Sequence, residues 1–145
     1  MSKAERDLKN LSNQYWALLL LATMNTVACA QTTAENPVGG WLAESIRGGG
    51  VIDRLQTILE VGADGAISGT GGCNAMRGRA TISGDTIVFS SIASTRKACS
   101  PAVMDQESKF FAALNDTQTW RVDSVRRKLI LIDGKGHSVV VFTRM

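Results

Sequence analysis

Histidine is nearly missing from this chain of 145 residues: His137 is the single one. It lies among turn residues, so a Ser-His-Asp or Cys-His catalytic site has little to stand on. One histidine beside widely spaced cysteines also fails the ligand spacing of a structural zinc site. No Cys-x-x-Cys pair is present, which counts against a thioredoxin-like oxidoreductase. The glycine stretches Gly69-Thr70-Gly71-Gly72 and Gly134-Lys135-Gly136 lack the phosphate-loop pattern and do not open a helix. No repeat and no low-complexity tract appears. A net charge of +3 is too mild an excess to indicate nucleic-acid binding.

What is present describes an ordinary globular chain, 44% hydrophobic and 20% charged. Its best-defined signal is the N-terminus. A charged opening from Lys3 to Lys9 precedes the apolar run Tyr15-Trp16-Ala17-Leu18-Leu19-Leu20-Leu21-Ala22. A bilayer span needs about 20 apolar residues, so this run suits the core of a signal peptide instead. Ala28-Cys29-Ala30 is a small-x-small cleavage site, which makes residues 1–30 a leader and Gln31 the start of a soluble product. Val27-Ala28-Cys29 also resembles a lipobox, and that alternative makes Cys29 a lipidated N-terminus, with Thr26 where Leu usually stands. Residues 31–40 then read as a linker and 41–145 as one domain, of a size that folds alone.

Either processing route removes Cys29 and leaves Cys73 and Cys99. In an oxidising compartment two cysteines suggest a disulfide, worth about 3 kcal/mol on the chain-entropy estimate. Two buried free thiols are the alternative, since spacing alone does not test geometry.

Along the domain, short alternating runs are separated by turn chemistry. Trp41–Ile46 opens it as an edge strand, and Gly48-Gly49-Gly50 follows as a flexible turn. Leu55–Val61 and Ala66–Gly69 flank Gly62-Ala63-Asp64-Gly65 as a first hairpin, and Arg79–Ser83 and Thr86–Phe89 flank Gly84-Asp85 as a second. Lys128–Ile132 and Ser138–Phe142 form a third around Asp133–Gly136, after a further strand at Thr119–Asp123. Between these lies a helix over about 101–115, with Ser100 as N-cap and Pro101 in its first turn. Val103, Met104, Phe110, Phe111 and Leu114 make its apolar stripe. Six to eight short strands with one late helix indicate a curved antiparallel sheet or small barrel, mainly β in an α+β class. The basic run Arg126-Arg127-Lys128 reads as a solvated strand start.

Three stretches carry a family resemblance: Gly71-Gly72-Cys73-Asn74, Thr95-Arg96-Lys97-Ala98-Cys99 with its preceding Ile92-Ala93-Ser94, and Glu107 with Phe110 and Leu114. In this order, with Trp41 and the closing Leu129-x-Leu131-x-Asp133-x-x-Gly136, they resemble the META domain family of HslJ-like heat-shock proteins over about residues 40–144. That similarity implies a cracked, lipocalin-like antiparallel β-barrel with one helix. It further implies an envelope or secreted setting, often as a lipoprotein, a stress-response association and no established catalytic activity. One departure is Ala75-Met76-Arg77-Gly78, where the family usually has a basic or polar residue and an aromatic before Ser-Gly. A surface contact made there by the aromatic does not carry over.

The same residues have a physical reading without the family. Gly72 permits positive φ and Asn74 holds a tight turn by bonding nearby backbone. Glu107 shares the helix's apolar face and needs a partner there, and Arg96 is the nearest candidate for an ion pair. Anion binding by Arg96 is the other option. The expected function is a non-catalytic exported module of the periplasm or envelope, monomeric and without cofactor or metal, that supports stress tolerance by binding a lipid-like ligand or a protein partner. Nucleic acid is not expected, and a membrane only through an anchor on Cys29. A thiol-active redox protein using Cys73 and Cys99 is one alternative, and an assembly lipoprotein of the outer membrane held by Cys29 is another.

Overall fold

A computed structural model describes residues 35–145. The leader reading and Cys29 therefore lie outside the described residues, as do residues 31–34 of the linker. Nine strands and one helix follow in order: β1 (Gly39–Ile46), β2 (Gly49–Gly50), β3 (Ile58–Val61), β4 (Ala66–Thr70), β5 (Ala75–Ser83), β6 (Thr86–Ser94), α1 (Pro101–Asp116), β7 (Thr117–Asp123), β8 (Lys128–Asp133) and β9 (Ser138–Arg144). All pairings are antiparallel, and β1 pairs with both β3 and β9, which closes an eight-stranded barrel. The two residues of β2 extend the ladder at the end of β1. The barrel is cracked at one seam. There β6 and β7 share a single ladder position, Thr86 with Thr119, beside a 2.9 Å bond from the Trp120 amide to the Asp85 carbonyl.

Several boundaries differ from the reading of the sequence. The first strand starts at Gly39, inside the stretch read as linker, and it is no edge: Trp41 faces Leu59 on one side and Arg144 on the other. Closure by the last strand of the chain is a long-range pairing, which local alternation does not encode. Gly49 and Gly50 are strand residues rather than a turn, and Leu55 and Gln56 precede β3 instead of belonging to it. Arg126 and Arg127 fall in the β7–β8 turn, so Lys128 alone of the basic run begins a strand.

Alternate residues fill the interior: Trp41, Leu59, Ile67, Met76, Ile87, Leu129, Leu131 and Phe142 are each at most 3% exposed. Each such side chain contributes about 1.5–3 kcal/mol on burial. Met76, within the stretch that departs from the family pattern, belongs to this set, while Ala75 and Arg77 beside it are exposed. Trp41 donates its indole N–H to the Pro37 carbonyl at 2.8 Å, and the Arg144 guanidinium lies 4.7 Å from its ring centroid. The helix packs on β6 and on β8, β9 and β1, which carries it across the barrel. Its buried face is Gln106, Glu107, Phe110, Ala113 and Leu114, while Val103, Met104 and Phe111 are only half-buried. The apolar stripe is thus rotated toward two polar residues. Phe110 meets Phe142 edge-on at 6.2 Å. Ser100 is the N-cap in extended conformation, without a side-chain capping bond.

The β8–β9 turn is organised by Asp133, whose carboxylate accepts the Lys135 and His137 amides at 2.9 Å each. The His137 amide, followed by the Lys135 amide and the nearby imidazole, holds the Asp133 carboxyl below its ordinary value. A depressed carboxylate contributes stability above its unfolded value and loses it as pH falls through its folded value. Carbon-detected NMR titration should therefore place Asp133 below the common aspartate range, and His137 amide protection should fall at the same midpoint. A titration at or above the ordinary value would contradict this turn geometry.

Candidate functional site

The motif residues gather where the β4–β5 turn, the segment joining β6 to α1 and the helix meet. Cys73 and Cys99 are joined by a disulfide with Cα atoms 6.1 Å apart. It ties the turn after β4 to the residues just ahead of Ser100. Beside it the Glu107 carboxylate binds that turn from the helix. One oxygen accepts the Cys73 and Asn74 amides at 3.0 and 2.6 Å, and the other accepts the Asn74 side-chain amide at 2.6 Å. Glu107 is 4% exposed, and these donors satisfy a charge that would otherwise be costly to bury.

Asn74 passes the connection on. Its side-chain oxygen accepts the Thr95 hydroxyl at 2.8 Å and the Lys97 amide at 2.7 Å, and its amide nitrogen also donates to the Lys97 carbonyl at 3.3 Å. The fully formed set uses donor and acceptor of a single buried side chain to bind three segments. Two glycines make room for it. A Cβ on Gly71 would come within 2.5 Å of Glu107 Cγ. Gly72 has φ +121°, and a Cβ there would come within 2.8 Å of Leu55.

The expected Arg96–Glu107 ion pair is not formed. Arg96 is exposed, and among the described residues it has no carboxylate within ion-pair distance. The physical reason is that three N–H donors from Cys73 and Asn74 already satisfy the Glu107 carboxylate, so its burial does not require a guanidinium. Residue spacing showed that Glu107 needs a partner, but backbone donors from a distant turn carry no residue-type signal. Gln106 was also missed. It donates to Thr57 Oγ1 at 3.0 Å and accepts the Ile52 amide at 2.7 Å, and Thr57 donates to the Gly71 carbonyl at 3.1 Å. Its place next to Glu107 on the buried face was the available clue.

Outside this clamp runs an open groove of about 440 Å³ between the end of β6 and the helix. Ser94, Thr95, Arg96 and Lys97 form one side, Met104, Ser108 and Phe111 the other, with Asn74 and Glu107 at its base. Among the described residues no group of three or more His, Cys, Asp or Glu side chains is placed to hold a metal, and no helix is long and apolar enough to cross a membrane.

A cracked eight-stranded antiparallel barrel, crossed by one helix and clamped by a disulfide and a buried carboxylate, defines the structural class. Within it, the chain belongs to the META domain family, whose model matches residues 33–145. An NMR structure of a protein from Burkholderia xenovorans is similar at 21% identity and a TM-score of 0.61, covering 74% of this chain and 81% of that one. A second NMR structure is 22% identical with a TM-score of 0.55, covering 72% of this chain and 87% of the other. Both likenesses concern the fold. No curated protein matches the chain.

Proposed function

We propose that this chain is an exported, non-catalytic META domain protein of the cell envelope that supports stress tolerance by recognising a protein partner at its surface. The filled barrel carries this reading. Trp41, Phe110, Phe142 and Met76 occupy the space in which a lipocalin-type barrel would hold a lipid-like ligand, and each is nearly or wholly inaccessible. The Cys73–Cys99 disulfide favours an oxidising compartment, in line with a cleaved leader. It also argues for a structural bond over a thiol-active centre, because the Cys73 amide is bound by Glu107 and its loop is pinned on both sides. Anchoring through Cys29 remains compatible with the same surface role, and mass spectrometry of the mature N-terminus separates a start at Gln31 from a diacylglyceryl Cys29.

The interior is tested with cis-parinaric acid titrated into the mature protein. No saturable one-to-one fluorescence gain is expected. Stoichiometric binding that also perturbs Trp41 emission would place a lipid-like ligand inside the barrel and overturn surface recognition. The physiological part is read from a deletion strain under envelope stress, where lost survival should be restored by the wild-type chain. Unchanged survival would remove the stress assignment.

A further inference from the structure

Three features meet at the groove beside β6. First, from Val88 to Ser94 that strand has β5 as its strand partner on one side, while its ladder with β7 ends after Thr86, so its other edge is free of a neighbouring strand. Second, Thr86–Ser94 contains no charged residue and no proline, and Val88 is 53% exposed, so the protection this edge has is a bulge at Ser91 and the helix packed on part of the strand. Third, the groove at the end of this edge has apolar Met104 and Phe111 on its helix side and Arg96 and Lys97 on its rim. Neither cation has a carboxylate within ion-pair distance among the described residues. The Glu107 carboxylate at its base is already engaged by Cys73 and Asn74.

We infer that the groove takes an extended peptide segment of a partner protein, one that carries apolar side chains and an acidic group. The segment adds as a strand to the free edge of β6, its apolar side chains lie on Met104 and Phe111, and its carboxylate meets Arg96 and Lys97. Main-chain bonding to an open edge supplies affinity, and pockets for alternate side chains supply selectivity. The charge complement sets the register of the peptide and speeds encounter. This assignment rests on the surface-recognition reading above and specifies the chemistry of the partner.

The test uses the mature protein and a displayed library of random linear peptides. Selected sequences should alternate apolar and polar residues and be enriched in Asp or Glu. Synthetic copies should shift amide resonances along Val88–Lys97 and Met104–Phe111. Reversing both cations (Arg96→Glu with Lys97→Glu) should weaken binding by about tenfold or more, without lowering Tm, since neither side chain holds the clamp. N-methylation of alternate peptide bonds should abolish binding. Selected peptides without acidic bias, resonance shifts elsewhere, or affinity that survives N-methylation would each overturn the groove assignment. Parinaric acid bound inside the barrel would sink the surface reading itself, whereas an interior that excludes it together with peptides that ignore the groove sinks this proposal alone.

Discussion

Replacing Glu107 by alanine is expected to destabilise the domain by about 3–5 kcal/mol, because it strands three donors at once. The Cys73 amide, the Asn74 amide and the Asn74 side chain all end on this carboxylate, which is 4% exposed. Bonds to a charged acceptor are worth about 1.5–3 kcal/mol each, and partial relaxation keeps their loss below the full sum. Glu107→Gln should lose roughly half as much: one oxygen can still take the two backbone amides, but its nitrogen then faces the Asn74 side-chain donor. Chemical denaturation of single and double variants separates this network from an ion pair. Glu107→Ala with Asn74→Ala should be strongly non-additive, whereas Glu107→Ala with Arg96→Ala should be additive within about 0.5 kcal/mol. A coupling between Glu107 and Arg96 above about 1 kcal/mol would restore the ion pair that the geometry excludes.

Removing the disulfide, by Cys73→Ser with Cys99→Ser, should cost about 3 kcal/mol on the chain-entropy estimate. The bridge spans a sequence separation of 26 and closes a loop that contains β5 and β6. For a domain of this size about 1 kcal/mol moves Tm by about 4–8 °C, so a loss of more than 10 °C is expected in thermal melts. The bridge and the Glu107–Asn74 network both hold the turn at Cys73–Asn74, the bridge to Cys99 and the network to the helix, Thr95 and Lys97. Each should therefore be worth less once the other is gone, and the double loss should fall short of the sum. The same experiment bears on the thiol-active alternative. Cys99 is exposed, so reductant reaches the bridge in the folded domain, and a structural bond should lower Tm by more than about 10 °C as it is reduced. Thiols that appear under mild reductant with Tm unchanged would favour redox chemistry and remove the structural assignment.

Local chemistry accounts for how much of this molecule was legible beforehand. Hairpins centred on Asp64-Gly65, Gly84-Asp85 and Asp133-Gly134 announce themselves through turn residues, and Ser100-Pro101 marks the start of the helix within one residue. The alternation of Leu129 with Leu131 and of Val140 with Phe142 likewise points to strands with one buried face. Less legible were properties that depend on what lies opposite. Trp41 reads as an edge residue until Arg144 is brought alongside by closure. Met104 and Phe111 read as core, yet half-buried they line a groove, because the helix turns Gln106 and Glu107 inward to meet Thr57 and the Cys73–Asn74 turn.

By itself, then, the sequence determined the strand-rich class, the helix that follows Ser100, most of the turns and the family motifs, since each depends on residues a few positions apart. It also indicated that a carboxylate at Glu107 required a partner, while the Cys73–Cys99 bridge was an expectation that only the folded geometry decided. Tertiary structure alone decided which atoms answer that requirement: amides from a turn 33 and 34 residues away rather than Arg96. Backbone donors are the same in every residue but proline, so only their position in space, set by barrel closure, selects them. The same closure leaves Val88–Ser94 of β6 with a strand neighbour on one side only and, among the described residues, brings no carboxylate within ion-pair distance of Arg96.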